Sequence, residues 1–133
     1  KRVKTSELTG AALDWAVALA LGANTVRHPS QGNMLPHLHW PSPLFGDQPR
    51  WSLFAPRYST DWAHGGQIIE RECLALECIG HCWEAYTMIE VADEDFLVPQ
   101  SVSQTGSTPL IAAMRCYVAS KLGDEVEIPE ELL

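Results

Sequence analysis

Six prolines lie within residues 23–57, and this stretch limits the fold of the chain more than any other. Proline lacks a backbone N–H and fixes φ, so helix interiors and central strands do not tolerate it. The stretch therefore predicts a long irregular connection between regular elements. Connections of this length inside a compact domain are usually functional loops or inserted segments. We expect the aromatic rings of Trp40, Trp51 and Phe54 to pack it against the domain.

Three segments outside this stretch carry clear signals of regular structure. Residues 11–21 are strong helix formers and apolar almost all round, which predicts a buried helix. The segment TPLIAAMRCYVASKLG, residues 108–123, has threonine at the N-cap, proline at the first helical position and a glycine stop. Residues 73–91 contain two strand-like runs around Ile79-Gly80-His81, which predicts an antiparallel hairpin.

The predicted fold class is α+β, with a small hairpin-based antiparallel β-sheet packed against two to three helices and a long proline-rich loop. At 133 residues the chain suits one domain over residues 1–133, with the irregular loop at about 23–57. Residues 100–107 are predicted to be a turn-rich linker. A core of two strands and two helices is small for the burial of five tryptophans, so we expect a homodimer or higher oligomer that buries more of them.

The net charge is −8, and the acidic residues concentrate in two runs, residues 84–95 and 124–131. Nucleic-acid binding requires a Lys/Arg surface, which nine scattered basic residues do not provide. Direct nucleic-acid binding is therefore disfavoured, although acidic mimicry of DNA stays open. Both runs are typical of a solvated face or a frayed tail, and the alternative is that they bind a basic partner.

No charged-then-apolar leader opens the chain, and its longest apolar stretch is too short to cross a bilayer. We therefore expect a cytoplasmic protein with no membrane partner. Because the cytosol does not sustain structural disulfides, the four cysteines are expected to be reduced and unpaired. These are Cys73, Cys78, Cys82 and Cys116.

Several histidines and cysteines raise the question of a metal site. They are His28, His37, His39, Cys73, Cys78, His81 and Cys82. Structural zinc sites usually present paired ligands from two separate elements, whereas Cys73 and Cys78 on one strand would face opposite sides. Buried thiols explain this pattern better than zinc does, so we predict no metal and no other cofactor.

The segment RYSTDWAHGGQIIERE, residues 57–72, is the main candidate site. Ser59 or Thr60 is expected to be the N-cap of a short helix, with Asp61 in its first turn. The Gly65-Gly66 pair either interrupts this helix or lets a ligand approach its backbone.

Serine, aspartate and histidine close together also raise the question of hydrolysis. No nucleophile elbow GxSxG is present, and proximity in sequence does not bring side chains together in space. We predict a non-enzymatic protein with no catalytic residues, and the alternative is a small hydrolase that uses Asp61 and His64.

The strings STDWAHGGQIIERE and STPLIAAMRCYVASKLGDEVEIPEELL, with TSELTGAALDWAVALALG before them, resemble the NinX-like proteins of tailed phages and prophages. These segments cover about half of the chain, and the match is closest from Ser59 to Glu72 and from Pro109 to Val126. Residues 23–56 and the hairpin cysteines lie outside the resemblance. The resemblance implies a phage origin and no particular activity.

Small phage accessory proteins often act by binding: they sequester a nucleotide immune signal, block a host defence protein, or assist replication and recombination. Among these roles, our leading hypothesis is a non-enzymatic accessory protein that counters host defence. We expect it to bind a small anionic, nucleotide-derived ligand. In this hypothesis Arg57 pairs with phosphate, Trp62 stacks on the ligand and the Gly65-Gly66 amides complete a cradle. The predicted ligand-binding residues are Arg57, Ser59, Thr60, Asp61, Trp62, Gly65, Gly66 and Arg115.

The alternative hypothesis is an acidic inhibitor that binds a host protein. Its contact surface would be the acidic run at residues 84–95 or the acidic C-terminal run. Such binding is expected to weaken at high salt, because exposed ion pairs are screened.

Overall fold

The computed structural model describes residues 1–27, 35–41 and 50–133. Within these ranges it contains three helices, α1 (Gly10–Ala20), α2 (Trp62–Glu72) and α3 (Pro109–Leu122). The strands are β1 (Arg2–Lys4), β2 (Asn24–Arg27), β3 (Pro36–Trp40), β4 (Arg50–Ser52), β5 (Ala75–Ile79), β6 (Cys82–Asp93), β7 (Phe96–Gly106) and β8 (Glu125–Glu127). They form three antiparallel sheets, ordered β1-β8, β2-β3-β4 and β5-β6-β7. The predicted α+β class is confirmed.

The core is centred on α1 and α3, the two helices that the sequence indicates most clearly. Leu13 and Val17 of α1 and Met114 and Val118 of α3 are inaccessible to solvent. Thr108 caps α3 as predicted, because its hydroxyl oxygen accepts a hydrogen bond from the Ile111 amide at 3.1 Å. The two helices therefore form the frame on which the sheets are placed.

The predicted hairpin is present as β5 and β6, but the sheet continues into a third strand. β7 pairs with β6 from Trp83↔Gly106 to Asp93↔Phe96, so the prediction of a turn-rich linker at residues 100–107 is wrong. Polar strand residues are tolerated on a solvated face, where cross-strand pairing outweighs intrinsic propensity. Gly106 ends the strand against α3, because a Cβ there would lie 2.6 Å from the Ala112 nitrogen.

The proline-rich stretch also contains regular structure. β3 is the middle strand of the β2-β3-β4 sheet, so the prediction that prolines exclude a central strand here is wrong. Pro36 is the first residue of β3, a position where the missing N–H is tolerated. Leu38 and Trp40 alternate inward and are buried. The parts of the predicted loop at 28–34 and 42–49 lie outside the described residues.

The acidic C-terminal run begins as an ordered strand and not as a frayed tail. β8 pairs with β1 in the register Arg2↔Glu127 to Lys4↔Glu125. Val126 and Ile128 are buried, whereas Glu125 and Glu127 are exposed. The acidic side chains form the predicted solvated face, and the apolar residues between them hold this segment against the core.

Candidate functional site

The candidate segment forms a tight turn before α2. The Arg57 carbonyl oxygen accepts hydrogen bonds from the Thr60 and Asp61 amides at 3.3 and 2.9 Å. Asp61 is the N-cap of α2, since its Oδ1 accepts from the Ala63 amide at 2.9 Å. The predicted cap at Ser59 or Thr60 is therefore wrong by one or two residues, because the turn holds them before the helix begins.

A buried contact fixes this turn on α1. The Ser59 amide donates to Asp14 Oδ1 at 2.8 Å, and the two residues are 2% and 7% exposed. Burial raises the pKa of the Asp14 carboxyl, while the hydrogen bond from the Ser59 amide and the Arg57 charge oppose that rise. The Ser59 hydroxyl has no hydrogen-bond partner within the described residues. Ser59 thus anchors the turn through its backbone.

The anchored turn and the start of α1 border a pocket of about 540 Å³, called the α1 pocket below. Its lining residues are Gly10, Ala11, Asp14, Trp15, Phe54, Ala55, Arg57, Thr60 and Leu132. Small-molecule pockets have volumes of roughly 300–1,000 Å³. Among the described residues, no carboxylate lies within ion-pair distance of the Arg57 guanidinium. Within the described residues the Arg57 guanidinium therefore has no direct ion-pair partner, and its charge interacts at longer range with the Asp14 carboxyl.

The first turn of α1 borders the same pocket. Thr9 occupies the N-cap, but its side chain makes no capping hydrogen bond. The first amides of a helix lack intrahelical partners, and the helix dipole makes this end attractive to anions. Gly10 and Ala11 lie in the pocket lining. The pocket thus brings together the start of α1, Arg57 and the carboxyl group of Asp14.

The two glycines of the candidate segment lie inside α2, so the alternative that they interrupt the helix is wrong. The Gly65 amide donates to the Asp61 carbonyl oxygen at 2.9 Å and is engaged within the helix. A Cβ at Gly65 would lie 2.2 Å from the Tyr58 carbonyl oxygen. Glycine is therefore needed there for close packing, and the Gly65 amide does not form the predicted cradle. Trp62 is exposed at the start of α2 and does not line the α1 pocket.

Arg115 connects three parts of the fold. Its Nε donates to the Leu8 carbonyl oxygen at 2.8 Å, and its Nη1 donates to the Thr105 carbonyl oxygen at 2.9 Å. Burial lowers its pKa. Since these bonds join α3 to β7 and to the segment before α1, the guanidinium has a structural role away from the α1 pocket.

The predicted alternative of a hydrolase has little geometric support. His64 Nε2 lies 3.9 Å from Asp61 Oδ2, and both side chains are about half exposed. The Ser59 hydroxyl is buried and bonded to neither of them. Asp61 also uses its other carboxylate oxygen to cap α2. The three side chains are close in sequence without forming a catalytic hydrogen-bond chain.

The described residues contain no group of three His, Cys, Asp or Glu side chains able to hold a metal ion, and His28 lies outside them. All four cysteines are free thiols. Cys73 lies at the left-handed C-cap of α2 and not on a strand, so the predicted strand position is wrong. Burial raises the pKa of the Cys116 thiol to about 11. No helix of the described chain is long and apolar enough to cross a membrane.

Sequence reasoning missed several residues that line the pocket, above all Asp14 and Phe54. A carboxylate within an otherwise apolar helix could have indicated this site, because a buried acidic side chain is costly unless it is paired or hydrogen-bonded. Phe54 was expected to be packed, yet it is 75% exposed beside the pocket. The contact of Asp14 with Ser59 spans 45 positions in sequence, and no local pattern indicates it.

The comparisons with known proteins give one family. A family model described as Bacteriophage P22, NinX matches residues 4–121. No curated protein matches the chain significantly. The family description indicates a phage accessory protein and includes no ligand or reaction. Because the match takes in most of the chain, including α1, α2, nearly all of α3 and every lining residue of the α1 pocket except Leu132, the chain belongs to the Bacteriophage P22 NinX family.

Proposed function

We propose that this phage protein binds a small anionic, nucleotide-derived ligand in the α1 pocket and so withdraws it from a host defence response in the host cytoplasm. The observation that carries this proposal is the position of Arg57, which has no carboxylate partner within the described residues, beside the start of α1. The pocket has the volume of a small-molecule site.

The phosphate end of the ligand is assigned to Arg57 and α1. A guanidinium donates two parallel hydrogen bonds to a phosphate, which gives both affinity and orientation. The first-turn amides of Gly10 and Ala11 add donors at the positive end of the helix dipole. Thr60 places a hydroxyl on the same lining. The hydrogen bond between Asp14 and Ser59 holds the turn at residues 57–61, which carries Arg57 and Thr60, against α1.

The rest of the pocket lining favours a ligand that carries hydrogen-bond donors and a flat ring in addition to its negative charge. Asp14 lines it with a carboxyl group whose Oδ1 is bonded to Ser59, and a carboxylate repels a bare anion. The same group accepts hydrogen bonds from amino or ring N–H groups, which nucleobases carry. The exposed ring of Phe54 provides an apolar face for a base to stack on. A nucleotide satisfies these requirements better than inorganic phosphate does.

Other grooves of the described fold are less suited to an anion. One lies beside Arg2, which pairs with Glu125 at 3.3 Å. Another lies beside Arg27, which pairs with Glu131 at 2.6 Å and lowers the pKa of that carboxyl to about 2. Each of these two arginines already has a carboxylate partner, so a phosphate that bound it would compete with that carboxylate.

Native mass spectrometry of the protein purified from infected host cells tests the proposal. The expected result is a stoichiometric small molecule on the wild-type protein and on Arg71→Ala, a matched change at an exposed arginine outside the pocket. The same preparation of Arg57→Ala should lack it. Release of an intact nucleotide supports binding without turnover. A ligand-free wild-type protein, or equal retention by Arg57→Ala, contradicts the proposal.

A further inference from the structure

We propose that the outer part of the β6–β7 hairpin, residues 88–101, inserts into a cleft of a basic partner protein. This segment is called the β-arm below. Its register runs from Met88↔Ser101 to Asp93↔Phe96, and every residue from 90 to 101 is exposed. At about 3.4 Å per residue, the strand from Met88 to Asp93 spans roughly 17 Å. The β-arm is separate from the α1 pocket and the function proposed for it.

The inner part of the same hairpin is covered, which shows where the β-arm begins. Ala85 is buried, and the Cys116 thiol of α3 donates to the Val102 carbonyl oxygen at 3.5 Å. Gly106 lies directly against the first turn of α3. The sheet thus continues past the surface that α3 covers, and its outer half has no covering element among the described residues.

The β-arm carries apolar side chains on both faces. Strand alternation and the register place Val91, Val98 and Phe96 on the face that continues from Ala85. Met88 and Leu97 lie on the opposite face. Phe96, Leu97 and Met88 are 74%, 65% and 60% exposed. Clustered exposed apolar side chains mark interaction surfaces more often than isolated ones do. Because both faces are apolar, a cleft that encloses the hairpin fits better than a flat surface.

Charge identifies the kind of partner. No lysine or arginine occurs between Arg71 and Arg115, while Glu90, Asp93, Glu94 and Asp95 lie on the β-arm. Acidic side chains around an apolar ridge complement a cleft with an apolar floor and a Lys/Arg rim. The same charges repel nucleic acid and anionic lipid surfaces.

A second copy of this chain is a poorer occupant. The whole chain has a net charge of −8, so pairing two β-arms brings like charges together. Pro99 removes a backbone donor from β7, and Glu90 lies directly opposite it. Edge prolines and charges are devices that block strand-to-strand pairing between molecules. The β-arm is therefore suited to side-chain docking in a different protein.

Capture from infected host cells, followed by binding measurements with the purified captured protein, tests this inference. The full-length chain is compared with the double variant Phe96→Ser, Leu97→Ser and with the control Leu133→Ser, a change at an exposed leucine outside the β-arm. We expect the captured protein to be basic. The double variant should weaken binding at least about tenfold, as loss of a buried aromatic anchor does, and the control should bind like wild type.

A third variant isolates the charge contribution. With Glu90→Gln, Asp93→Asn and Glu94→Gln combined, the loss of affinity between about 50 and 500 mM NaCl should become much smaller than in wild type. Circular dichroism confirms folding of each variant, since all changed side chains are exposed.

Failure to capture a protein, capture of an acidic one, or equal binding by the double variant overturns the inference. So does a wild-type dimer in sedimentation equilibrium that becomes monomeric in the double variant, because the occupant is then a second copy. Retention of a small molecule in native mass spectrometry is independent of these variants, so the two proposals fail separately.

Discussion

Gly65 and Gly66 are adjacent in sequence but have different surroundings. A Cβ at Gly65 would lie 2.2 Å from the Tyr58 carbonyl oxygen and 2.7 Å from Leu110 Cδ2. A Cβ at Gly66 would approach only Trp62 Cε3, at 3.4 Å. We expect Gly65→Ala to lower the free energy of unfolding by about 1–3 kcal/mol through overpacking. Gly66→Ala is the matched control. Because alanine has a higher helix propensity than glycine, the free energy of unfolding of this variant should equal or exceed that of wild type. Urea unfolding of both variants distinguishes them, and equal midpoints contradict this account.

Asp14 predicts a pH dependence of stability. Burial raises the pKa of its carboxyl above the ordinary value of 3.8, so the folded state holds this proton more tightly than the unfolded chain. Its contribution to stability is therefore greatest below pH 3.8 and is lost as the pH rises through the folded pKa. Asp14→Asn keeps an oxygen acceptor for the Ser59 amide and cannot ionise. We expect the variant to gain stability relative to wild type as the pH rises from about 3.5 to 7.

Urea unfolding at several pH values measures this difference. A difference that stays constant with pH, or that moves in favour of wild type as the pH rises, contradicts the assignment. Among the residues that line the α1 pocket, sequence reasoning named Arg57 and Thr60 as ligand-binding residues, and that role stays a prediction. Sequence reasoning could not recover their partners on α1, because spatial neighbours from distant segments leave no local pattern.

Helix caps give a prediction at the scale of elements. Both α1 and α3 have threonine at the N-cap, but only the Thr108 side chain accepts a capping hydrogen bond. Thr108→Ala is expected to lower the free energy of unfolding by about 1 kcal/mol. Thr9→Ala should cost clearly less, because it removes no such bond. Thermal or urea unfolding compares the two, and a larger loss for Thr9→Ala would show that the caps are assigned wrongly.

The elements also show why part of the fold was predictable. α1 and α3 were found because helix formers, caps and stops are local signals. β7 and β3 were missed because their pairing is decided by contacts across the sheet. Residues 100–106 have the composition of a linker but pair with β6, and Pro36 occupies the one end of β3 that tolerates proline.

At the scale of the whole molecule, the C-terminal segment pairs with the N-terminal strand and packs on the core. The Ile128 amide donates to the Lys1 carbonyl oxygen at 2.8 Å, and the Ile128 side chain is fully buried. We expect Ile128→Ala to lower the free energy of unfolding by about 2–5 kcal/mol, through lost burial and the cavity left behind. Leu133→Ala, at an exposed position nearby, should change it by less than about 0.5 kcal/mol. Chemical denaturation that gives similar values for both would contradict the role of this segment.

The expected homodimer or higher oligomer stays a prediction. It rested on a thin core for five tryptophans, but the described fold supplies two further sheets. Trp15 and Trp40 are buried within the chain itself. These two tryptophans therefore need no second copy to be buried, whereas Trp51 and Trp62 are 44% and 54% exposed.

The most direct measurement is isothermal titration calorimetry with a panel of nucleoside monophosphates and cyclic dinucleotides. We predict that at least one member binds wild type and Arg71→Ala with the same Kd. Arg57→Ala should bind it about 10–100-fold more weakly, the loss expected when a charge-assisted phosphate contact is removed. Inorganic phosphate should bind more weakly than that nucleotide. If no member binds wild type, or if Arg57→Ala binds as tightly, the α1 pocket is not a nucleotide site.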